Sequence, residues 1–258
     1  MTEENRSESR PFEADVAKLL HLMVHSVYSD KSVFLRELIA NAADACERLR
    51  YEAIADPALL DDDVKPRITL SIDADKGRLT VEDNGIGMSR DELVEALGTI
   101  ARSGTKAFLD RIAPAEGGEG GEGVEGTALI GRFGVGFYSV FMVAARVDVI
   151  SRRAGTDAAW LWSSDGKGTF AVSAAPADAP RRGTRVILHL MEDAKSYAER
   201  FTVERLVKAQ SGHVPVPIVI VEKPGAAPAE IADGAALWAK PKSEITAADY
   251  TDFYRSIA

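Results

Sequence analysis

The sequence lacks the features that would place it in several common functional classes. It contains one cysteine, Cys46, in 258 residues, so it cannot form an internal disulfide. It has no excess of positive charge, and the formal net charge of −9 argues against nonspecific nucleic-acid binding. The stretch from Met1 to Arg10 is polar, without the apolar run of a signal peptide or membrane anchor. We therefore expect a cytoplasmic protein with neither a nucleic-acid nor a membrane partner.

The familiar phosphate-binding motifs are also missing. No Gly-Lys-Ser/Thr sequence occurs, and the run from Ser103 to Lys106 has the elements of a Walker motif in the wrong order. Gly134-Val135-Gly136 lacks the third glycine of a dinucleotide-binding fingerprint. The composition is otherwise ordinary for a globular protein, with 46% hydrophobic and 28% charged residues, and the chain is long enough to bury one sizeable core.

The stretch from Phe34 to Arg50 has the periodicity of an amphipathic helix. Because side chains three and four residues apart share one face of a helix, Glu37, Asn41 and Asp44 form a polar stripe opposite an apolar face. Two carboxylates and an amide facing the same way could hold a metal ion and activate water. The alternative is a solvated helix face, which is the more common use of polar residues at this spacing.

The segment from Glu82 to Met88 combines a carboxylate with two glycines between a predicted strand and a helix start. The helix start is a capping box, with Ser89 at the N-cap and Glu92 three residues later. Asp83 could accept hydrogen bonds from an amino group of a ligand, while Gly85 and Gly87 would take positive φ and let the backbone approach that ligand. A plain Asn-Gly turn is the alternative interpretation.

Two further segments could contribute to the same pocket. The glycine-rich run from Gly131 to Phe137 precedes an apolar segment, and a glycine loop that opens onto a helix offers N–H groups to phosphate. An ordinary helix-entry loop would have the same composition. Thr184, at the start of a β-prone run, could place a hydroxyl nearby, although most Gly-Thr pairs at strand starts are turns.

The remaining pattern predicts an α+β fold. Helices are expected at residues 12–28, 31–54 and 202–210, with further helical sequence after Ser89. Strands are expected at residues 67–73, 78–83, 146–152, 158–163, 168–174 and 184–190. Prolines in residues 214–222 indicate an edge strand, and residues 222–235, rich in Ala, Pro and Gly, are predicted to be a linker. Because helices and strands are segregated, we predict a two-layer sandwich, with a twisted, mainly antiparallel sheet covered on one face by helices.

In this order the four motifs resemble the nucleotide-binding motifs of the ATPase superfamily that includes gyrase B, sensor histidine kinases and MutL. The flanking sequences are more specific. Strings that begin at His21, Phe34, Leu97 and Phe133 (HLMVHSVYS, FLRELI, LGTIARSGTK and FGVGFYS) are similar to the heat shock protein 90 family of molecular chaperones, in its bacterial form. The resemblance covers nearly the whole chain, from residue 12 onward.

The resemblance implies a role for each motif. Asp83 would bind the adenine amino group, Asn41 would reach the phosphates and a Mg²⁺ ion, and Glu37 would orient or deprotonate the attacking water. ATP or ADP would be held by Asn41, Asp44, Asp83, Gly87, Met88, Arg102, Gly134, Val135, Gly136, Phe137 and Thr184. The sequence departs from the family at three positions: Ala96 stands where eukaryotic members have asparagine, Arg102 where lysine is usual, and Arg132 where glutamine is usual. Phosphate contact by Arg102 is therefore a weaker expectation than the others, because a planar guanidinium is not a point charge.

The resemblance also implies a domain organisation. Residues 1–222 would form the nucleotide-binding ATPase domain, with a lid at about residues 98–131, although the Gly-Glu core of that segment could be a variable insertion. Residues 223–258 would be a linker and the start of a truncated middle domain. The whole protein would act on client proteins as a homodimer. This chain would be mainly monomeric and would hydrolyse ATP slowly, because the family's γ-phosphate-contacting arginine comes from the middle domain.

Two other functions are compatible with these motifs. A histidine-kinase catalytic domain would need a phosphoacceptor histidine, and the chain offers His21, His25, His189 and His213. The spacing of His21 and His25 could also suit a metal, but no partnering ligand lies near them in the sequence. A nucleotide sensor that changes shape without turnover is the third possibility.

Overall fold

The computed structural model describes residues 30–61, 65–98, 136–234, 245–246 and 250–251. The α-helices are α1 (Val33–Ala55), α2 (Arg90–Gly98) and α3 (Arg200–Gln210), and 3₁₀ helices span Pro57–Leu60, Gly136–Met142 and Glu192–Ala198. The strands are β1 (Ile68–Asp73), β2 (Arg78–Asp83), β3 (Ala144–Arg152), β4 (Ala159–Ser164), β5 (Phe170–Ala174), β6 (Gly183–Leu190), β7 (Ile218–Val221) and β8 (Ala229–Ala232). Within these ranges, no helix is both long and apolar enough to cross a membrane.

The eight strands form one sheet in the order β5-β4-β3-β6-β2-β1-β7-β8. All neighbouring strands are antiparallel except β1 and β7, which are parallel. The predicted α+β fold with a mainly antiparallel sheet is therefore confirmed. The six strands predicted between residues 67 and 190 agree with the observed ones to within about two residues, the uncertainty normal for element ends, whereas the strand predicted within residues 214–222 is shorter, Ile218–Val221.

One face of the sheet packs against the helices and contains the core. Strands β1 and β2 alternate strictly between buried and half-buried residues, as expected for strands with one covered face. Helix α1 supplies the opposite layer, where Phe34, Leu35 and Ile39 are at most 1% exposed. Cys46 belongs to the same layer, and burial raises the pKa of its thiol to about 12, so it is a structural rather than a reactive cysteine.

The predicted capping box at the start of α2 is confirmed. The Glu92 backbone N–H donates to Ser89 Oγ at 3.3 Å, and the Ser89 N–H donates to Glu92 Oε2 at 2.8 Å. This reciprocal pair satisfies two N–H groups that a helix start leaves without intrahelical partners. It fixes where α2 begins, directly after the segment that contains Asp83 and Met88.

Two predictions about the later part of the chain are wrong. Strand β7 is not an edge strand, because β8 pairs with its far side, and part of the predicted linker is that strand, Ala229–Ala232. Pro217 lies directly before β7, so its missing N–H does not remove a hydrogen bond from within that strand. Its carbonyl oxygen still accepts from the Ile68 N–H at 2.9 Å. Strand β8 is partly exposed and alanine-rich, so it lacks the apolar alternation that signals a strand. The predicted helix at residues 12–28 and most of the proposed lid lie outside the described residues.

Candidate functional site

A cavity of about 390 Å³ lies between α1 and the covered face of the sheet. Its wall is mostly apolar, with carboxylates at several points, and this is the usual composition of a small-molecule site. The lining residues are Glu37, Leu38, Asn41, Ala42, Asp44, Ala45, Arg48, Val81, Asp83, Ile86, Gly87, Met88, Ala96, Leu97, Gly136, Phe137, Val149, Thr184 and Val186. Nine of the sequence-predicted site residues are among them.

The sheet register explains why polar groups meet at one end of this cavity. Residues of β2, β6 and β3 lie in rows across the sheet, and residues in one row point to the same face. Two rows are apolar and the third, where β2 ends, is polar. The rows are Leu79–Leu188–Val147, Val81–Val186–Val149 and Asp83–Thr184–Ser151. A carboxylate and two hydroxyls therefore terminate an otherwise apolar surface.

Asp83 is the acid of this polar row, and its pKa is strongly perturbed. It is 6% exposed, and its Oδ1 accepts from the Gly85 N–H at 2.9 Å. Burial raises the pKa of Asp83 to about 7, against the opposing effect of backbone hydrogen bonds from Gly85 and Thr184. The ionised carboxylate is thus an acceptor held at an energetic cost, and a buried ligand that donates to it would offset that cost.

Ser151 was missed by the sequence analysis and is central to this end of the cavity. Its hydroxyl accepts from the Met88 N–H at 2.8 Å and lies 3.0 Å from the Gly183 carbonyl oxygen and 2.9 Å from Thr184 Oγ1. It therefore ties the segment after β2 to the start of β6. Strand parity could have found it, because Ser151 has the parity of Val147 and Val149 and so lies on their face of β3.

The two glycines beside Asp83 serve packing more directly than ligand approach. The predicted positive φ is found at Gly87 (+65°) but not at Gly85. A Cβ at Gly85 would lie 2.5 Å from the Ala45 carbonyl carbon of α1, and one at Gly87 would lie 1.9 Å from the Arg152 carbonyl oxygen. Gly85 is thus required by the close approach of the helix backbone, which a sequence pattern does not reveal.

Glu37 marks another part of the cavity, next to the 3₁₀ helix that begins at Gly136. It is 6% exposed, and its Oε1 accepts from Arg36 Nη2 at 3.0 Å. A Cβ at Gly136 would lie 2.2 Å from Glu37 Oε2, so only glycine leaves the carboxylate in its place. Gly136 and Phe137 both line the cavity, as does Glu37.

The polar stripe of α1 continues along the cavity from Glu37. Asn41 and Asp44 both line it. Both residues are largely open to solvent, but the Asp44 carboxyl is partly buried, and this partial burial raises its pKa. Arg48, which the sequence analysis did not select, lines the cavity one turn further on and pairs through Nε with Glu52 Oε1 at 2.9 Å. The prediction that the stripe shares one face is therefore confirmed.

Other predicted positions fall outside this description or line the cavity without polar atoms. Arg102, Gly134 and Val135 lie outside the described residues, as does Arg132. Ala96 lines the cavity and presents only a methyl group there. The structure thus brings together Glu37, Asn41, Asp44, Asp83, Gly87, Met88, Gly136, Phe137 and Thr184.

The described ranges contain no cluster of three or more His, Cys, Asp or Glu side chains suited to a metal. His189 does not belong to this site. Its Nε2 is hydrogen-bonded to Asp148 Oδ2 at 2.8 Å. Asp148 lies between Val147 and Val149 in β3, so its side chain is on the opposite face of the sheet from the cavity. The oxygen ligands that the cavity offers, such as the Asn41 amide, therefore do not include a group of three such side chains within the described residues.

Comparison with known proteins agrees with this geometry. Residues 28–175 match the family described as "Histidine kinase-, DNA gyrase B-, and HSP90-like ATPase". Similar proteins named "Chaperone protein HtpG" occur in Azorhizobium caulinodans (73% identical over 97% of this chain and 39% of the relative), Rhizobium meliloti (68%, over 99% and 40%) and Rhodospirillum rubrum (48%, over 97% and 39%). The chain spans about 40% of the length of these relatives.

Proposed function

Because the chain belongs to the family of histidine kinase-, DNA gyrase B- and HSP90-like ATPases, we propose that its cavity binds ATP and ADP and that the chain is the ATPase unit of a molecular chaperone. The observation that carries this proposal is the buried carboxylate of Asp83 at the end of an apolar cavity that also contains Glu37. An adenine ring suits an apolar wall that ends in a hydrogen-bond acceptor, and the base of ATP lies well away from its γ-phosphate.

At the polar end, Asp83 accepts from the exocyclic amino group of adenine. Three observations support this role: the carboxylate is buried, its neighbours Val81 and Val186 are apolar, and Thr184 stands beside it in the same row. Gly87 and Met88 line the adjoining wall. A donor from the ligand would replace the solvation that burial has removed from Asp83.

Toward the phosphates, Asn41 and the backbone around Gly136 and Phe137 are the proposed contacts, together with Arg102, Gly134 and Val135 from outside the described residues. Mg²⁺ fits this set, because it prefers oxygen ligands and is commonly held by one or two protein oxygens together with substrate phosphates and water. Asn41 is the proposed protein ligand. When bound, the ion would neutralise negative charge on the phosphates, and Asp44 completes the polar side of the cavity.

Hydrolysis requires a group that orients or deprotonates water, and Glu37 is the proposed one. Its carboxylate accepts a hydrogen bond from Arg36 and occupies the space that a Cβ at Gly136 would need. Glu37 lies one helical turn from Asn41, about 6 Å along the axis. We propose that this chain alone turns over slowly. The resemblance assigns the γ-phosphate-contacting arginine to the part of the longer relatives that this chain does not cover, and such a residue can dominate phosphoryl-transfer rates.

For the whole protein we propose a cytoplasmic homodimer that acts on client proteins, with this chain mainly monomeric by itself. The relatives named as chaperones support the client role, and the buried Cys46 suits a reducing compartment.

We propose that the lid of the nucleotide-binding domain lies at about residues 98–131. Because β8 belongs to the sheet, the nucleotide-binding domain extends through Ala232, and the start of a middle domain would follow it.

The competing functions have separate readouts. A histidine kinase would retain labelled phosphate on the protein after incubation with γ-labelled ATP, whereas an ATPase releases it. His189 is bonded to Asp148 away from the cavity, which does not favour it as a phosphoacceptor. A silent nucleotide sensor would bind ADP without hydrolysing ATP. If Glu37→Ala in the full-length protein abolishes ATP hydrolysis but retains nucleotide binding, the sensor is excluded.

The first test is titration calorimetry of Mg-ADP into the wild type and Asp83→Asn, with Asp148→Asn as the control for loss of another buried carboxylate. We expect binding by the wild type and Asp148→Asn, and loss of the binding signal in Asp83→Asn. Equal affinities of all three proteins would contradict the adenine assignment. Glu37→Ala should retain ADP binding but lose phosphate release.

A further inference from the structure

The Ser151 hydroxyl, 0% exposed at the polar end of the cavity, contacts three groups of different hydrogen-bonding character. The Met88 N–H lies 2.8 Å from it, the Gly183 carbonyl oxygen 3.0 Å and Thr184 Oγ1 2.9 Å. The first group can only donate and the second can only accept. The third, a hydroxyl, can do either.

Counting protons assigns the direction of each bond. Ser151 has one proton and two lone pairs. The Met88 N–H occupies one lone pair, and the Gly183 carbonyl takes the proton. The remaining lone pair then accepts from the Thr184 hydroxyl. This arrangement forms all three bonds and uses the full capacity of Ser151, as expected for a buried polar group.

This assignment decides what Thr184 presents to the cavity. Its only proton points at Ser151, so its oxygen faces the cavity with lone pairs. The ionised Asp83 carboxylate beside it can likewise only accept hydrogen bonds. The polar end therefore offers acceptors from both residues, which match the two N–H groups of an exocyclic amine. A carbonyl oxygen in the same place would face lone pairs on both sides.

We infer that Ser151 is a positioning residue that fixes Thr184 as an acceptor and thereby strengthens selection of a 6-amino purine nucleotide over its 6-oxo analogue. The inference rests on the proposed nucleotide function and adds to it the residue that orients the base-reading hydroxyl. Without Ser151, the Thr184 hydroxyl is free to rotate and donate to a 6-oxo oxygen. Asp83 continues to disfavour the oxo group, so the selectivity is reduced rather than abolished.

The test compares ADP with inosine diphosphate, which carries oxygen in place of the 6-amino group. Calorimetry with Mg²⁺ gives the ratio of the two dissociation constants for the wild type, Ser151→Ala and the hydroxyl-retaining Ser151→Thr. We expect Ser151→Ala to lower the preference for ADP by about tenfold, the value of one hydrogen bond. Ser151→Thr should keep the ratio within about threefold of the wild type. A general folding defect would weaken the binding of both ligands equally, so it cannot produce a change in the ratio of their dissociation constants.

A double-mutant cycle identifies the route of the effect. If Ser151 acts through the Thr184 hydroxyl, Ser151→Ala should change the ratio by less than about twofold in a Thr184→Val background. A wild-type ratio retained in Ser151→Ala, or the same change with and without Thr184, would overturn the inference and leave the proposed function standing. Failure of the wild type to bind either nucleotide would overturn both.

Discussion

Replacing Asp83 by asparagine is expected to stabilise the ligand-free protein at the same time as it removes nucleotide binding. Burial raises the pKa of Asp83 from 3.8 to about 7. At about 1.4 kcal/mol per pKa unit, the folded protein at pH 8 holds this charge at a cost of about 4 kcal/mol relative to the unfolded chain. Asparagine keeps an acceptor for the Gly85 N–H but loses the second carboxylate oxygen, at a cost of about 1–2 kcal/mol. The net gain is about 2 kcal/mol.

The size of this gain depends on pH. Because the folded-state pKa of Asp83 is raised, the folded protein binds more protons than the unfolded chain between pH 4 and pH 7. Its stability therefore falls as the pH rises through that window. At pH 5 the folded protein is already protonated at Asp83, so most of the advantage of Asp83→Asn should disappear.

Urea unfolding followed by circular dichroism, without nucleotide, measures the free energy of unfolding at pH 8 and pH 5. Asp148→Asn is the matched control. Burial acts to raise the pKa of Asp148, but hydrogen bonds from Ser163, His189 and Arg146 outweigh it and lower that pKa, so this substitution should destabilise the protein at pH 8. The reasoning would be refuted if Asp83→Asn lowers the free energy of unfolding at pH 8, or if it changes that free energy equally at both pH values.

Three other expectations follow from the same geometry. The affinity for ADP should fall by up to about tenfold per pH unit as the pH drops below about 7, because ligand donation requires ionised Asp83; calorimetry at pH 8 and pH 5.5 that gives equal affinities would contradict this. Gly136→Ala should reduce phosphate release by at least about tenfold, since its Cβ would displace Glu37 Oε2, and an unchanged rate would count against Glu37 as the base. Ser89→Ala should lower the free energy of unfolding by about 1 kcal/mol through loss of the capping box, whereas Ser89→Asp, which keeps a cap acceptor, should restore most of it.

The fold was largely predictable because its signals are local. Helix α1 and strands β1 and β2 carry clear periodicities of 3.6 and 2 residues, and the capping box gives the start of α2 directly. The strand Ala229–Ala232 was not predictable in this way, since its short, half-buried and alanine-rich sequence shows no apolar alternation and its place in the sheet comes from pairing with β7.

The candidate site was predictable where one segment supplies the chemistry, as with Asp83 or the Glu37–Asp44 stripe. Its remaining parts depend on how distant segments meet. Ser151 is unremarkable in the sequence until the register aligns it with Thr184. The requirement for glycine at position 85 arises because α1 approaches the turn, which no pattern of neighbouring residues encodes.

The parallel pairing of β1 with β7 has a consequence for synthesis on the ribosome. Strand β1 ends at Asp73 and its outer partner begins at Ile218, so at about 5–20 residues per second one edge of β1 stays unpaired for on the order of ten seconds. Until β7 and β8 emerge, the nascent chain exposes the kind of strand edge that templates aggregation. Completion of this sheet therefore depends on β7 and β8, which are synthesised well after β1, and nascent chains released before these two strands carry an open edge.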